Sequence, residues 1–113
     1  MESVRPWGLY RVLAKGDGYQ IKEIRVRPNH RLSLQRHQHR AEHWMIIQGV
    51  ATVTVDGEEN EFHIGSCVDI GLMQTHRIGN NGIYDLVFIE IQTGTYFGED
   101  DIERLEDDYE RDV

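Results

Sequence analysis

The chain has 113 residues, a net charge of −8, 39% hydrophobic and 28% charged residues, and one cysteine. That size bounds it to a single domain, 1–113, with enough chain for one closed core. No apolar run approaches the ~20 residues of a bilayer span, the start Met1-Glu2-Ser3-Val4-Arg5 lacks the apolar stretch of a signal peptide, and Cys67 has no internal partner for a disulfide. A reducing cytoplasm is the expected setting. Residues 99–113 hold nine acids against two arginines, a net of −7, so the remainder is near neutral. With no basic face, nucleic acid is not an expected partner, nor is a membrane.

In chain order, Gly16-Asp17-Gly18 reads as a turn and Tyr19 to Arg27 as a strand ended by Pro28-Asn29. Leu32 to His39 alternates, with Leu32 and Leu34 on one face and Ser33, Gln35, His37 and His39 on the other. Trp44-Met45-Ile46-Ile47 reads as a buried run that stops at Gly49, followed by the β-branched stretch Ala51 to Val55. Asp56-Gly57 is the strongest hairpin signal. Phe62 to Ile64 and Cys67 to Ile70 continue the strand pattern, with Cys67 expected to be a small buried residue. Asn80-Asn81-Gly82 is another turn, and Leu86 to Ile91 is a last long strand. From about Asp100 to Tyr109 the acidic end reads as helical. Many short strands with regular turns predict an all-β sandwich or barrel, here with a short acidic helical segment at the end.

The chemistry concentrates in residues 35–44, QRHQHRAEHW. Gln35, His37 and His39 share strand parity, and His37, His39, His43 and His76 are expected on or near one cavity. Imidazole, amide oxygen and carboxylate together suit a borderline divalent cation. The plain alternative is a polar barrel mouth with hydrogen-bonded histidines and no metal. Trp7, Trp44, Ile46 and Phe88 read as core or cavity wall.

The segment resembles the first cupin motif, in which two ligands lie two apart and are followed by four residues, a glutamate, six residues and a glycine. Gln35, His37, Glu42 and Gly49 fit that spacing, whereas pairing His37 with His39 leaves too few residues before Glu42. Gly65, position 71, His76 and Asn80 fit the second motif, with Gly71 and Met73 where a proline and a glycine are usual. The resemblance therefore implies a double-stranded β-helix (jelly-roll) barrel with metal ligands Gln35, His37, Glu42 and His76, and His39 beside the ion. It implies one divalent ion, zinc first, with cobalt, manganese, magnesium, nickel or iron as alternatives.

Longer stretches, Arg5-Pro6-Trp7-Gly8, Leu32 to Gln35, His39 to Trp44, and Glu90 to Gly94 followed by Gly98 to Ile102, are similar to the type II mannose-6-phosphate isomerase cupin. That domain is often the C-terminal half of a bifunctional enzyme with a mannose-1-phosphate guanylyltransferase. No Gly-rich phosphate loop is present, so guanylyl transfer is not expected of this chain. Asn29-His30 and Glu110 also depart from the family pattern, at a usual Pro-Gly and a common glycine. The implied reaction interconverts mannose 6-phosphate and fructose 6-phosphate through an enediol, with a small sugar phosphate as partner. It needs a general base and a cation for the phosphate. His39 and Glu90 are the candidate bases, Arg40 the phosphate or oxyanion partner, and Lys22, sharing parity with Ile24 and Val26, a second phosphate ligand or proton carrier. A solvated strand lysine, a structural Arg40 salt bridge and an Arg-paired Glu90 are the corresponding plain readings. A non-catalytic sugar-binding cupin and a metal-dependent oxygenase stand as alternative functions. Tyr96-Phe97 is expected to pack as a lid or across a dimer, and strand edges of this kind favour a homodimer.

Overall fold

The computed structural model describes residues 2–110. Twelve strands follow in chain order: β1 Glu2–Arg5, β2 Gly8–Gly16, β3 Tyr19–Val26, β4 His30–Arg31, β5 Leu34–His37, β6 Arg40–Gln48, β7 Ala51–Val55, β8 Glu58–Phe62, β9 Cys67–Ile70, β10 His76–Asn80, β11 Leu86–Gly94 and β12 Ile102–Glu106. They form two antiparallel sheets of six, one in the order β1-β2-β3-β11-β6-β9, the other β12-β5-β10-β7-β8 with β4 also paired to β10. In the core between them Val26, Ile46, Ala51, Leu86 and Phe88 are fully buried. Buried polar groups, among them His37, Arg40, Glu42, His76, Glu90 and Gln92, share the interior. No helix among the described residues is long and apolar enough to cross a membrane.

The turns behave as their residues dictate. Asp56 and Gly57 both take positive φ (48° and 85°), the requirement of the two-residue hairpin that links β7 to β8. Met73 has φ 63° and Glu110 φ 55°, so these two positions, where the family pattern has glycine, keep the left-handed backbone with a side chain attached, whereas His30, at a third such position, does not.

Three expectations are corrected. The acidic end is not a helix. One 3-10 turn, Glu99–Asp101, leads into β12, which pairs antiparallel with β5. Ile102 and Arg104 there follow a strand's period of two, and both line the barrel pocket. Trp44 to Ile47 is not buried throughout, because β6 alternates: Trp44 and Ile46 point inward, Met45 and Ile47 outward. Cys67 is exposed, because Val68 and Ile70 take the inward phase of β9. Trp7, Trp44, Ile46 and Phe88 are core, as the sequence implied.

Candidate metal centre and barrel pocket

Three elements converge on one buried cluster. His37 ends β5, Glu42 lies on β6 and His76 opens β10, whose Cα pairs with that of Gln35 on β5. His37, Glu42 and His76 are each at most 4% exposed. His37 Nε2 lies 3.2 Å from His76 Nε2 and 3.1 Å from Glu42 Oε2, and His76 Nε2 lies 3.9 Å from Glu42 Oε1. One ligand atom from each residue falls within 4.8 Å of the others. Two ligands bonded at about 2.1 Å to one tetrahedral or octahedral ion sit roughly 3.0–3.4 Å apart, so these side chains fit a divalent cation. His76 Nδ1–H donates to Gln74 O at 2.9 Å, which leaves the Nε2 lone pair facing the cluster. Gln35 donates its amide N–H to Ser33 Oγ at 2.9 Å, so the atom it can offer a cation is its carbonyl oxygen. Binding an ion here would replace a proton shared among these groups.

Burial alone would raise the Glu42 carboxyl. The hydrogen bond with His37, the charges of Arg40 and His76, and a hydrogen bond with Glu90 outweigh it and hold Glu42 well below the usual carboxylate range. Arg40 Nε donates to Glu42 Oε2 at 3.0 Å, and both side chains are buried. The guanidinium that the sequence offered as a phosphate partner is thus seated on a candidate ligand. His76 is held below the ordinary imidazole value, first by burial.

The second carboxyl of the cavity is Glu90 on β11. Trp44 Nε1–H is shared between Glu42 Oε1 at 2.9 Å and Glu90 Oε1 at 3.1 Å, and Gln92 Nε2 donates to Glu90 Oε2 at 2.7 Å. Burial, the negative charge of Glu42 and a hydrogen bond to it push Glu90 up to about 8, against the pull of Arg40 and Lys22. Among the described residues no arginine lies within ion-pair distance of Glu90; its hydrogen-bond donors are the indole and the amide.

Lys22 is directly opposite Glu90 across β3 and β11 and lines the same pocket. Its Nζ rests 4.3 Å from the centre of the Tyr10 ring. Arg5, Arg77, Arg104, Tyr10 and Glu99 complete the polar wall. Sequence reasoning did not assign these five. Arg5 and Tyr10 belong to β1 and β2, whose patterns are weak, and Arg104 was hidden by the helical reading of β12.

His39 is not brought into the cavity. Strand β5 ends at His37, so the parity argument stops there. The His39 side chain is 52% exposed on the outside of the barrel, with Nδ1 2.8 Å from Asp101 Oδ1. Asp101 also accepts the backbone N–H groups of Gln38 and His39, and these bonds outweigh burial to hold its carboxyl below its ordinary value. Tyr96 stands edge-on to His39, 6.2 Å between ring centres. His43 also faces outward, paired with Asp69 at 2.5 Å. Of the four histidines expected on or near the cavity, His76 lines it and His37 joins it in the buried cluster.

A two-sheet β-barrel that gathers His, Glu and His from β5, β6 and β10 around one buried point defines a cupin. Solved structures of that architecture agree: the capsular polysaccharide assembling protein CapF of Staphylococcus aureus superposes with a TM-score of 0.80 at 23% identity, over 94% of this chain and 32% of that one. Oxalate decarboxylase of Lactobacillus farciminis does so at 0.80 and 18% identity, over 93% and 33%. At those identities the likeness speaks to fold alone. The model of the mannose-6-phosphate isomerase C-terminal family matches residues 1–107, and the chain belongs to that family. It is 47% identical to the alginate biosynthesis protein AlgA of Pseudomonas aeruginosa over 110 residues, 97% of this chain and 23% of that protein. It is 44% identical to a mannose-1-phosphate guanylyltransferase of Escherichia coli over 110 residues, again 97% and 23%. The chain spans less than a quarter of the length of these relatives.

Proposed function

We propose that this chain is a metal-dependent sugar-phosphate isomerase that interconverts mannose 6-phosphate and fructose 6-phosphate. The observation that carries the reading is the content of one pocket. Glu42 and His76 of a donor set suited to a divalent ion, a buried carboxyl pushed up to about 8 and an excess of cations share it. Five cationic side chains line it (Arg5, Lys22, Arg40, Arg77, Arg104) against three carboxyls (Glu42, Glu90, Glu99), in a chain of net charge −8. Such a wall selects an anionic substrate.

His37, Glu42 and His76, with the Gln35 carbonyl, would hold the ion. The ion supplies Lewis-acid polarisation of the sugar carbonyl oxygen. The remaining work falls to the chain's own groups. Aldose–ketose isomerisation removes a proton from one of C1 and C2 and delivers one to the other. Glu90, titrating near 8, can accept a proton and return it at neutral pH. Trp44 Nε1–H and Gln92 Nε2–H fix both carboxyl oxygens of Glu90, so its free lone pairs point in a set direction. Arg40 orients Glu42 and balances its charge, which is a positioning role.

The test is a coupled assay of fructose 6-phosphate formation on chelator-stripped protein reloaded in turn with zinc, cobalt, manganese or magnesium. Metal-dependent turnover that disappears in His37→Ala and falls by at least about a hundredfold in Glu90→Gln supports the reading. Stoichiometric metal binding with no turnover for any ion refutes it.

A further inference from the structure

Arg5, Tyr10, Lys22 and Glu99 meet at the open rim of the pocket, brought there by four separate segments. Arg5 Nη2 lies 2.6 Å from Glu99 Oε1 and 3.2 Å from the Tyr10 hydroxyl, which in turn is 3.4 Å from the same Glu99 oxygen. The Arg5 guanidinium and the Lys22 ammonium both stack on the Tyr10 ring, at 5.0 and 4.3 Å from its centre. The other three cations of the pocket are engaged: Arg40 is on Glu42, Arg77 is on Glu106, and Arg104 is not free either. Among the described residues, Lys22 has no carboxylate within ion-pair distance. Glu99 is the carboxylate paired with Arg5 at this corner, and it is 56% exposed, from the 3-10 turn that precedes β12. A half-exposed ion pair of this kind contributes little and is readily exchanged for a stronger anion.

We infer that the corner formed by Arg5, Tyr10 and Lys22 is a phosphomonoester subsite, and that the Glu99 carboxylate occupies the position of the phosphate until a ligand displaces it. The inference rests on the sugar-phosphate reading and deepens it by moving the phosphate from Arg40 to the rim. A guanidinium, a phenol O–H and an ammonium offer a dianion N–H and O–H donors from three sides. Lys22 is opposite Glu90 across the sheet, so a phosphate held at the rim places the far end of the sugar toward Glu90 and the histidines. The site takes a phosphate on a small polyol; a neutral sugar gains nothing from it.

The test is isothermal titration of mannose 6-phosphate and of mannose into the metal-loaded protein and its variants. Lys22→Met is expected to weaken mannose 6-phosphate binding by at least about tenfold while leaving mannose unchanged, with Lys22→Arg restoring most of the loss. Glu99→Gln, at an exposed position, is expected to tighten mannose 6-phosphate severalfold by removing the competing carboxylate. Unchanged affinity in Lys22→Met with a native melting temperature, or weaker binding in Glu99→Gln, overturns the subsite. Turnover separates the two claims. An active enzyme whose Lys22→Met variant keeps its KM refutes the subsite and spares the isomerase. Phosphate-selective binding that responds to both variants, with no turnover, refutes the isomerase and spares the subsite.

Discussion

Replacing Glu90 by Gln should remove a specific pH dependence of stability. In the folded protein Glu90 titrates at about 8, and an unfolded glutamate at its model value of 4.5. Between those values the folded state holds a proton that the unfolded state has released. Stability is therefore fully present below about pH 4.5 and is lost as pH rises through 8. At 1.36 kcal/mol per pH unit the separation corresponds to roughly 4–5 kcal/mol, an upper bound because Glu42 and Glu90 share the site. A glutamine keeps the shape, can still donate to Glu42, and has no proton to lose. Urea unfolding of metal-free protein at half-unit steps from pH 5 to 8.5 reads the effect. Wild type should lose stability across that range relative to Glu90→Gln, with the gap closing toward pH 5. His76, whose burial lowers its imidazole, works in the opposite direction but is common to both proteins. Parallel curves for the two would show that Glu90 is ionised in the fold and would refute the account of its environment.

Other perturbations have set outcomes. In metal-free protein, Arg40→Ala should cost about 3–5 kcal/mol by stranding Glu42, whereas Arg36→Ala, which breaks an exposed, solvent-screened pair with Glu103, should leave the urea midpoint almost unmoved. Gly94→Ala should destabilise by roughly 3 kcal/mol, since φ is +153° and a Cβ there would run into the His39 carbonyl oxygen; a thermal melt reads the loss. Met73→Gly should raise stability by about 1 kcal/mol, because Met73 holds φ 63° in the loop before His76; the same melt reads the gain.

The turns and the His37–Glu42 half of the metal cluster were legible in the sequence because both are short-range, whereas His76, 39 residues from His37, was reached through the second motif of the family resemblance. Asp56-Gly57 specifies its own backbone, and the spacing from His37 to Glu42 is the length of one turn between two strands. The errors arise where a pattern was carried past the end of an element. Parity from Gln35 to His37 held, but β5 stops there and the next two residues turn, which sends His39 to the outside. Trp44 to Ile47 looked uniformly apolar because an exposed sheet face carries Met45 and Ile47. The acidic run at the end has the composition of a solvated helix. Yet it pairs its edge with β5, and its acids meet arginines contributed by other strands, with Glu103 on Arg36 and Asp108 on Arg31. The rim of the pocket was illegible for the same reason. Arg5 and Glu99 are 94 residues apart in the chain, and no local pattern records that they meet.

We propose His37, Glu42 and His76 as the side chains that hold one divalent ion. Cobalt(II) titration of the chelator-stripped protein, followed by visible absorption, tests it most directly. One equivalent per chain, with a spectrum lost in both His37→Ala and His76→Ala and kept in His39→Ala, is the predicted result. Binding that survives both of the first two substitutions, or that disappears in His39→Ala alone, would contradict it.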